Sequence, residues 1–490
     1  MEKHVDLDWL LTKLAERAEN YARYREYYDG EQPLQFATSK WKRAFGTLFD
    51  TFAYNRCARV VDAHADAVRV EGWDAERPEA EAQGAPRAGE VAVEDPVLAK
   101  AEAVARQVWE ANSLPARHGQ VAVEAFTLGD AYVIVWPSTQ PGGLPLVYPQ
   151  LGDRCMIRYS AEFPDQPEVG CKVWQENTKH WRCNVYYPTR VERYRTRQRP
   201  TSMPTRSGAF EPLEQAEGGG QAGYPWGEGF PLFGLHNNAP LGDYGVSELR
   251  DVLGLQDALN KLLADMLITS EAQAFPQRWA VGIEPQLNRE TNEYELPFKP
   301  AADQLWWTVN ELAKFGQFNP ADIVAFVTVQ DGLDTKISRA TQVPPHWLGV
   351  AGQFPSGEAL RMAERPWTVK LSDRALQHGD FWEAVIGHAS GLVLGQPPQL
   401  RARMRELAYS SDTERWDLAA KKLAAGVPEP MVWRELGYSE AEIKQMEDAR
   451  QANATAMARA FNGGLFAGDS TTGATSGTGT EQGAGGTAAA

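Results

Sequence analysis

The sequence predicts an α+β chain, on three observations. Apolar residues recur at three- and four-residue spacing in long stretches towards both ends, the mark of amphipathic helices. From "GDAYVIVWP" to "RVERYRTRQRP" the pattern changes to short β-branched and aromatic runs divided by turn residues, which reads as antiparallel strands. Composition is that of a folded protein: 43% of the 490 residues are hydrophobic and 23% charged, so two to four units of about 100–200 residues each are expected.

The opening stretch places Leu7, Leu10, Leu11, Leu14, Ala18, Tyr21 and Tyr24 on one face of a helix, which Gly30 and Pro33 end. A second helix is expected over "NRCARVVDAHADAVRV", with Gly72 following closely. Residues 74–95 are rich in Ala, Glu, Pro and Gly without helical apolar spacing and read as a solvated insertion. "PVLAKAEAVARQVWEAN" is again helical. Strands follow at Tyr132 to Trp136, Cys155 to Tyr159, Cys171 to Trp174 and Arg182 to Tyr187, and residues 200–240 read as loop-rich.

"YGVSELRDVLGLQDALNKLLADML" returns to helix, with Ser247 as its cap and Leu249, Val252, Leu259, Leu262 and Met266 as one apolar stripe. In "NPADIVAFVTVQDGLDTKISRATQV", Asn319 as cap, Pro320 at the first helical position and Asp322 in the first turn predict a long helix to Gln342. Another long helix starts after Ser356, and Pro366 predicts a kink in it. Beyond residue 400 come a helix ended at Gly426, a short helix, and one opened by the capping box Ser439-x-x-Glu442. The last 28 residues hold 9 glycines and two charged residues, Asp469 and Glu481, and read as a disordered tail.

The formal charge is −16, against a protein that grips nucleic acid by neutralising many phosphates. Cys57, Cys155, Cys171 and Cys183 show no CxxC pair and no metal-like spacing with histidine, so reduced thiols are expected. No run reaches the ~18 apolar residues of a membrane span, and the charged start reads as neither targeted nor exported.

The search for chemistry is mostly negative. Between the two long helices, "QVPPHWLGVAGQFPSGEALR" is punctuated by glycine and proline like a phosphate cradle. It lacks the lysine and hydroxyl of a P-loop and no GxGxxG follows a strand, so an interhelical loop is the better reading. Asp62, His64 and Asp66 in "DAHADA" resemble a metal cluster, but on a helix His64 lies roughly opposite the two aspartates, leaving a polar helix face. No HExxH or GxSxG occurs, and neither a catalytic residue nor a cofactor or metal is assigned. One basic cluster, Arg190, Arg193, Arg195, Arg197 and Arg199, alternates as on a strand. It reads as nucleic-acid or acidic-partner contact, or, better given the acidic total, as the solvated face of an edge strand.

The order of the pieces is more informative than any one of them. "YYDGEQPL", "NRCARVVDAHADAVRVEGW", "GDAYVIVWP", "YGVSELRDVLGLQDALNKLLADML" and "QRWAVG" together resemble the portal proteins of long-tailed bacteriophages, in the variety common among phages of actinobacteria. The resemblance covers roughly residues 8 to 450. It implies a portal fold with a mainly helical stem and crown, a β-rich wing and a small mixed α/β clip.

Carried onto this sequence, it implies a wing over residues 1–245, stem helices at 246–270 and 320–342, and a clip at 271–319. A tunnel loop at 343–356, the long kinked helix at 357–399, a crown at 400–455 and the tail at 456–490 complete the division. The tunnel loop is Val343, Pro344, Pro345, His346, Trp347, Leu348, Gly349, Val350, Ala351, Gly352, Gln353, Phe354, Pro355 and Ser356.

The implied function is that of a non-enzymatic homo-oligomeric ring, usually a dodecamer, at one capsid vertex of the virion, made in the host cytoplasm. Double-stranded DNA passes through it without sequence specificity. The implied partners are the terminase large subunit, a head-completion or adaptor protein, and the major capsid and scaffolding proteins, with no membrane. The insertion at 74–95, the clip sequence and the tail depart from the family pattern. Two other readings stay open at this stage: a different virion structural or adaptor protein, and a metal-dependent DNA-processing enzyme.

Overall fold

The computed structural model describes residues 5–45, 52–76, 95–138, 140–213, 222–224, 229–274, 278–283, 286–288, 293–295, 308, 310–317, 322–349, 356–407, 412–438, 442–451 and 453. The chain divides into two compact units, Met1–Leu407 and Ala408–Ala490. The architecture is mixed, with long helices and several antiparallel sheets.

Helix α1 (Val5–Asp29) buries Leu7, Leu10, Leu11 and Leu14 against a sheet built from β4 (Cys155–Tyr159), β5 (Pro167–Gln175), β6 (Trp181–Tyr186), β7 (Arg190–Thr196) and β8 (Phe210–Pro212). Here β1 to β3 are Val70–Glu76, Asp130–Trp136 and Leu146–Gln150. A short β9 (Ala222–Gly223) also pairs with β7. The period-two alternation puts Met156, Cys171, Val173, Cys183, Val185 and Tyr194 on the face under α1. β7 is therefore flanked on both sides by strands, and the expected edge position is corrected: β8 and β9, inside the stretch read as loop, cover that edge.

A second core gathers around β10 (Leu232–His236), which with β2 and β3 forms a sheet of order β10-β2-β3. Helices α4 (Pro96–Ala111), α5 (Leu114–Leu128) and α8 (Gly357–Leu394) pack here, with Trp382 edge-on to Trp109 at 5.1 Å. Strand β15 (Gln399–Met404) pairs with β1, register Trp73↔Ala402 and Glu76↔Gln399. Residues 74–76 thus belong to a strand, not to the insertion, because Trp73 is buried and Arg401 pairs with Glu76 across the ribbon. Residues 77–94 lie outside the described residues. Gly72 lies within β1 opposite Arg403, a few residues after helix α3 (Arg56–Ala67), which the short α2 (Ser39–Phe45) precedes.

The third core joins α3, α5, α6 (Leu253–Ala274), α7 (Ile323–Thr341) and the first part of α8. The helix expected from Val246 starts only at Leu253. Ser247 donates to the Thr127 carbonyl at the end of α5 and the Glu248 N–H to Phe126 O, which holds 247–252 in turns. α7 starts at Ile323, capped by Asp322, whose Oδ1 accepts from Val324 N at 2.9 Å. Asn319 and Pro320 lie outside the described residues. Ser356 caps α8 as expected, accepting from Ala359 N at 3.2 Å, and α8 continues through Pro366.

Between α6 and α7 lie two antiparallel ribbons, β11 (Arg278–Val281) with β14 (Lys314–Gln317), and β12 (Gln286–Asn288) with β13 (Glu293–Glu295). The second unit contains α9 (Asp412–Ala424), ended near Gly426 in a left-handed conformation, α10 (Glu429–Glu435), and a helix over 442–451. Ser439 of the expected capping box lies outside the described residues.

Candidate functional site

The interhelical loop is anchored at both ends. α7 ends at Gln342, in the left-handed region at φ 64°. The Ser338 hydroxyl donates to Val343 O at 2.7 Å, and the Val343 N–H reaches Thr341 Oγ1 at 3.3 Å, so side chains of the last helical turn bond both backbone groups of the first buried loop residue. Val343, Pro344 and Leu348 are buried, the first and last in the third core, and a 3-10 turn spans Pro345–Leu348. His346 Nε2 lies 3.0 Å from Glu364 of α8, and Trp347 is 45% exposed with its ring 6.0 Å from that of Trp367. Gly349 closes the turn at φ 77°. Val350, Ala351, Gly352, Gln353, Phe354 and Pro355 lie outside the described residues, and Ser356 opens α8.

Beneath this loop root sit two buried charged assemblies. Arg56, at the start of α3, donates from Nε and Nη2 to the two oxygens of Asp334 in α7, each at 2.8 Å, and its guanidinium lies 4.2 Å over the Tyr54 ring. A bidentate pair in this setting fixes α7 in orientation as well as position. In the other, Glu248 accepts from Lys370 Nζ at 2.6 Å and from Arg374 Nε at 3.0 Å, both on α8. Lys370 also donates to Thr341 O at 3.0 Å, the last carbonyl of α7 before the loop. His64 completes the group, with Nε2 3.7 Å from Glu248 and Nδ1 donating to Val60 O at 2.7 Å.

Burial raises the Glu248 carboxyl, but His64, Lys370 and Arg374 outweigh it and hold its pKa at about 2. Burial pushes His64 down to about 4. His64 is thus a core residue, and the polar helix face expected of "DAHADA" holds only for Asp62, bonded by the Tyr28 hydroxyl, and Asp66, paired with Arg69.

A third polar group fastens α1. Asp130 takes hydrogen bonds from Arg17, the Tyr21 hydroxyl and the Gly245 N–H, and His236 Nδ1 lies 2.6 Å away. These contacts join four separate parts of the chain at a carboxylate that is itself buried. The Asp–His–Tyr chain through His236 to Tyr159 has the outline of a catalytic relay, with a buried carboxylate and a half-buried imidazole and phenol that join structural elements.

Among the described residues no three His, Cys, Asp or Glu are grouped to hold a metal ion, and no helix is long and apolar enough to cross a membrane. The cysteines are free and buried, and burial raises the thiol pKa of Cys57 and Cys155. Sequence reasoning missed Glu248, Lys370 and Arg374. Their one local trace is the i, i+4 spacing of the two cations on α8, which many solvated helices share.

Against solved structures, a chain of "Neck of native GTA particle computed with C12 symmetry" is 15% identical, covering 81% of this chain and 94% of that one, at a TM-score of 0.42. A chain of "Virion of native gene transfer agent (GTA) particle" is 16% identical, covering 76% and 86%, at 0.43. A chain of "Neck of empty GTA particle computed with C6 symmetry" is 15% identical with the same coverage, at 0.41. No curated protein sequence matches. The family described as "Phage portal protein, SPP1 Gp6-like" matches residues 92–386, more than half of the chain, from α4 into α8 and across the whole interhelical loop. The chain therefore belongs to that family of phage portal proteins, with the general role of a portal-type structural component of a viral particle.

Proposed function

We propose that the protein is the portal subunit of a long-tailed phage of the kind that infects actinobacteria, and that copies of it form a ring, of twelve subunits, at one capsid vertex. The ring is the channel for double-stranded DNA during packaging and ejection. It docks the terminase large subunit and later a head-completion or adaptor protein, and it meets the scaffolding and major capsid proteins on assembly. The loop 343–356 lines the narrowest part of the channel.

The observation that carries this reading is a loop with no Lys or Arg from Val343 to Ser356, rooted at both ends in long helices. Twelve copies carry 12 × −16, or −192 charges, so DNA is not held by phosphate salt bridges and can be driven past. The loop contacts it by shape. Val324, Val327 and Val329 on α7 are 71%, 46% and 51% exposed in the single chain, an apolar stretch that neighbouring subunits would cover.

The test is a packaging assay with Phe354→Ala and Gly352→Val in the otherwise intact phage. The expected outcome is heads that assemble normally but retain severalfold less DNA. Full packaging and retention in both variants would remove the gasket role from the loop.

A further inference from the structure

The arginine cluster of β7 is not used by the loop or by the stem helices. In the sheet, Trp174 of β5 opposes Arg182 of β6, which opposes Arg195 of β7. Two residues along, Lys172 opposes Asn184, which opposes Arg193. Because successive side chains alternate, these six share the face turned away from α1. Like charges directly opposite on neighbouring strands repel; Arg195 is offset by Glu211, opposite it on β8, and Arg182 by Glu176, whereas neither Lys172 nor Arg193 has an acidic residue opposite it.

The face is concave. One open depression of about 630 Å³ is lined by Trp174, Glu176, His180, Arg182, Arg195 and Arg199. Another of about 370 Å³ takes in Lys172 and Arg193 together with Trp136 and Tyr148, the tyrosine 43% exposed. Some of the cations are already engaged: Arg182 pairs with Glu176 at 2.5 Å, and Arg197 with Glu211 at 3.6 Å. Among the described residues Lys172, Arg193 and Arg199 have no acidic partner. Arg199 Nε donates to His180 Nε2 at 3.1 Å, and Lys172 Nζ lies 5.2 Å over the Trp174 ring.

We propose that this face docks an acidic segment of a partner protein, its carboxylates meeting Lys172, Arg193 and Arg199 and an apolar side chain of the segment lying along Trp174. Charge complementarity argues for a polyanion of some kind in a chain that is otherwise acidic. The number and shape of the cations argue for protein over duplex DNA. Three cations without acidic partners release too few counterions for a firm grip on a duplex, and the −16 chain repels so dense a charge. A short segment bearing a few carboxylates feels mainly the charges within a Debye length of about 10 Å, and guanidinium groups match carboxylates bidentately.

The test uses the full chain, a fluorescent peptide of repeating Glu-Leu-Glu-Gly units and a short DNA duplex as competitor, read by anisotropy at low salt. Wild type should bind the peptide. The double variants Arg193→Glu/Arg199→Glu and Arg193→Gln/Arg199→Gln should bind about tenfold or more weakly at an unchanged melting temperature, and the duplex should fail to displace the peptide. The glutamine pair keeps the test available if charge reversal unfolds the sheet. No peptide binding by wild type, undiminished binding by the folded variants, or displacement of the peptide by the duplex, which would make the face a nucleic-acid site, overturns the proposal.

Discussion

Replacing Glu248 with alanine should destabilise the first unit by about 3–5 kcal/mol, the range for leaving a buried charge without its partner. Lys370 and Arg374 keep side-chain exposures of 17% and 8% and would face each other across the vacated site. The loss is read from the urea midpoint at neutral pH. Since Lys370 holds the Thr341 carbonyl, the variant should also loosen the root of the interhelical loop, seen as faster amide exchange at Val343.

The pH dependence follows from the same group. Glu248 titrates at about 2 when folded and near 4.5 when exposed, so its contribution is present above about pH 4.5 and is lost as pH falls towards 2. His64 titrates at about 4 when folded and near 6.5 when exposed. Burial keeps it neutral in the fold, so it costs nothing above about pH 6.5, and a penalty for burying the imidazolium builds up as pH falls towards 4. At about 1.4 kcal/mol per pKa unit, the Glu248 share is about 3 kcal/mol. Glu248→Gln should therefore narrow the stability gap to wild type as pH falls from 5 to 2. A gap that stays constant over that window would contradict the assignment.

The second large effect is expected at Gly245. A β-carbon there would meet the Gly129 carbonyl oxygen at 1.8 Å and the Asn237 nitrogen at 2.7 Å, both backbone atoms that cannot swing away. Gly129 is itself held at φ +97° as the cap of α5, and its carbonyl accepts from Asn237 N at 2.8 Å. Moving the 245 segment outward would also separate its N–H from Asp130 and its carbonyl from Arg17. Gly245→Ala should cost on the order of 3 kcal/mol or more, from overpacking plus the loss of one hydrogen bond to the buried Asp130 carboxylate, whose Oδ1 keeps His236. Gly208→Ala, which meets nothing within 4 Å, is the control and should change the urea midpoint little.

The elements legible in the sequence were those whose partner is a generic apolar surface. The Leu7, Leu10, Leu11 and Leu14 stripe fixes the buried face of α1 whatever lies beneath it, and β4 to β7 are marked off by their own alternation and turns. α5 was hidden because Pro115 and Gly119 interrupt an apolar stretch buried on several sides. A β-carbon at Gly119 would stand 2.8 Å from the Arg69 guanidinium, the tip of a flexible side chain that packs over it. β15 exists through pairing with β1, more than 300 residues away, and no local pattern encodes that.

The same division runs through the candidate site. Gly, Pro and the Ser356 cap mark the loop, whereas apolar loop residues look alike in sequence whether they are buried, as Val343 and Leu348 are, or exposed, as Trp347 is. Glu248 lies 122 residues from Lys370 and 126 from Arg374, so the charged assembly beneath the loop becomes visible only once the helices are packed.

The claim on which the functional account depends is assembly into a ring around a channel, and the most direct measurement is negative-stain microscopy of the purified full chain with a native mass. The account expects rings with a central hole and, for a dodecamer, a mass of 12 × 54.2 ≈ 650 kDa. A particle that remains a 54.2 kDa monomer in every condition, including co-expression with a scaffolding protein, would contradict it.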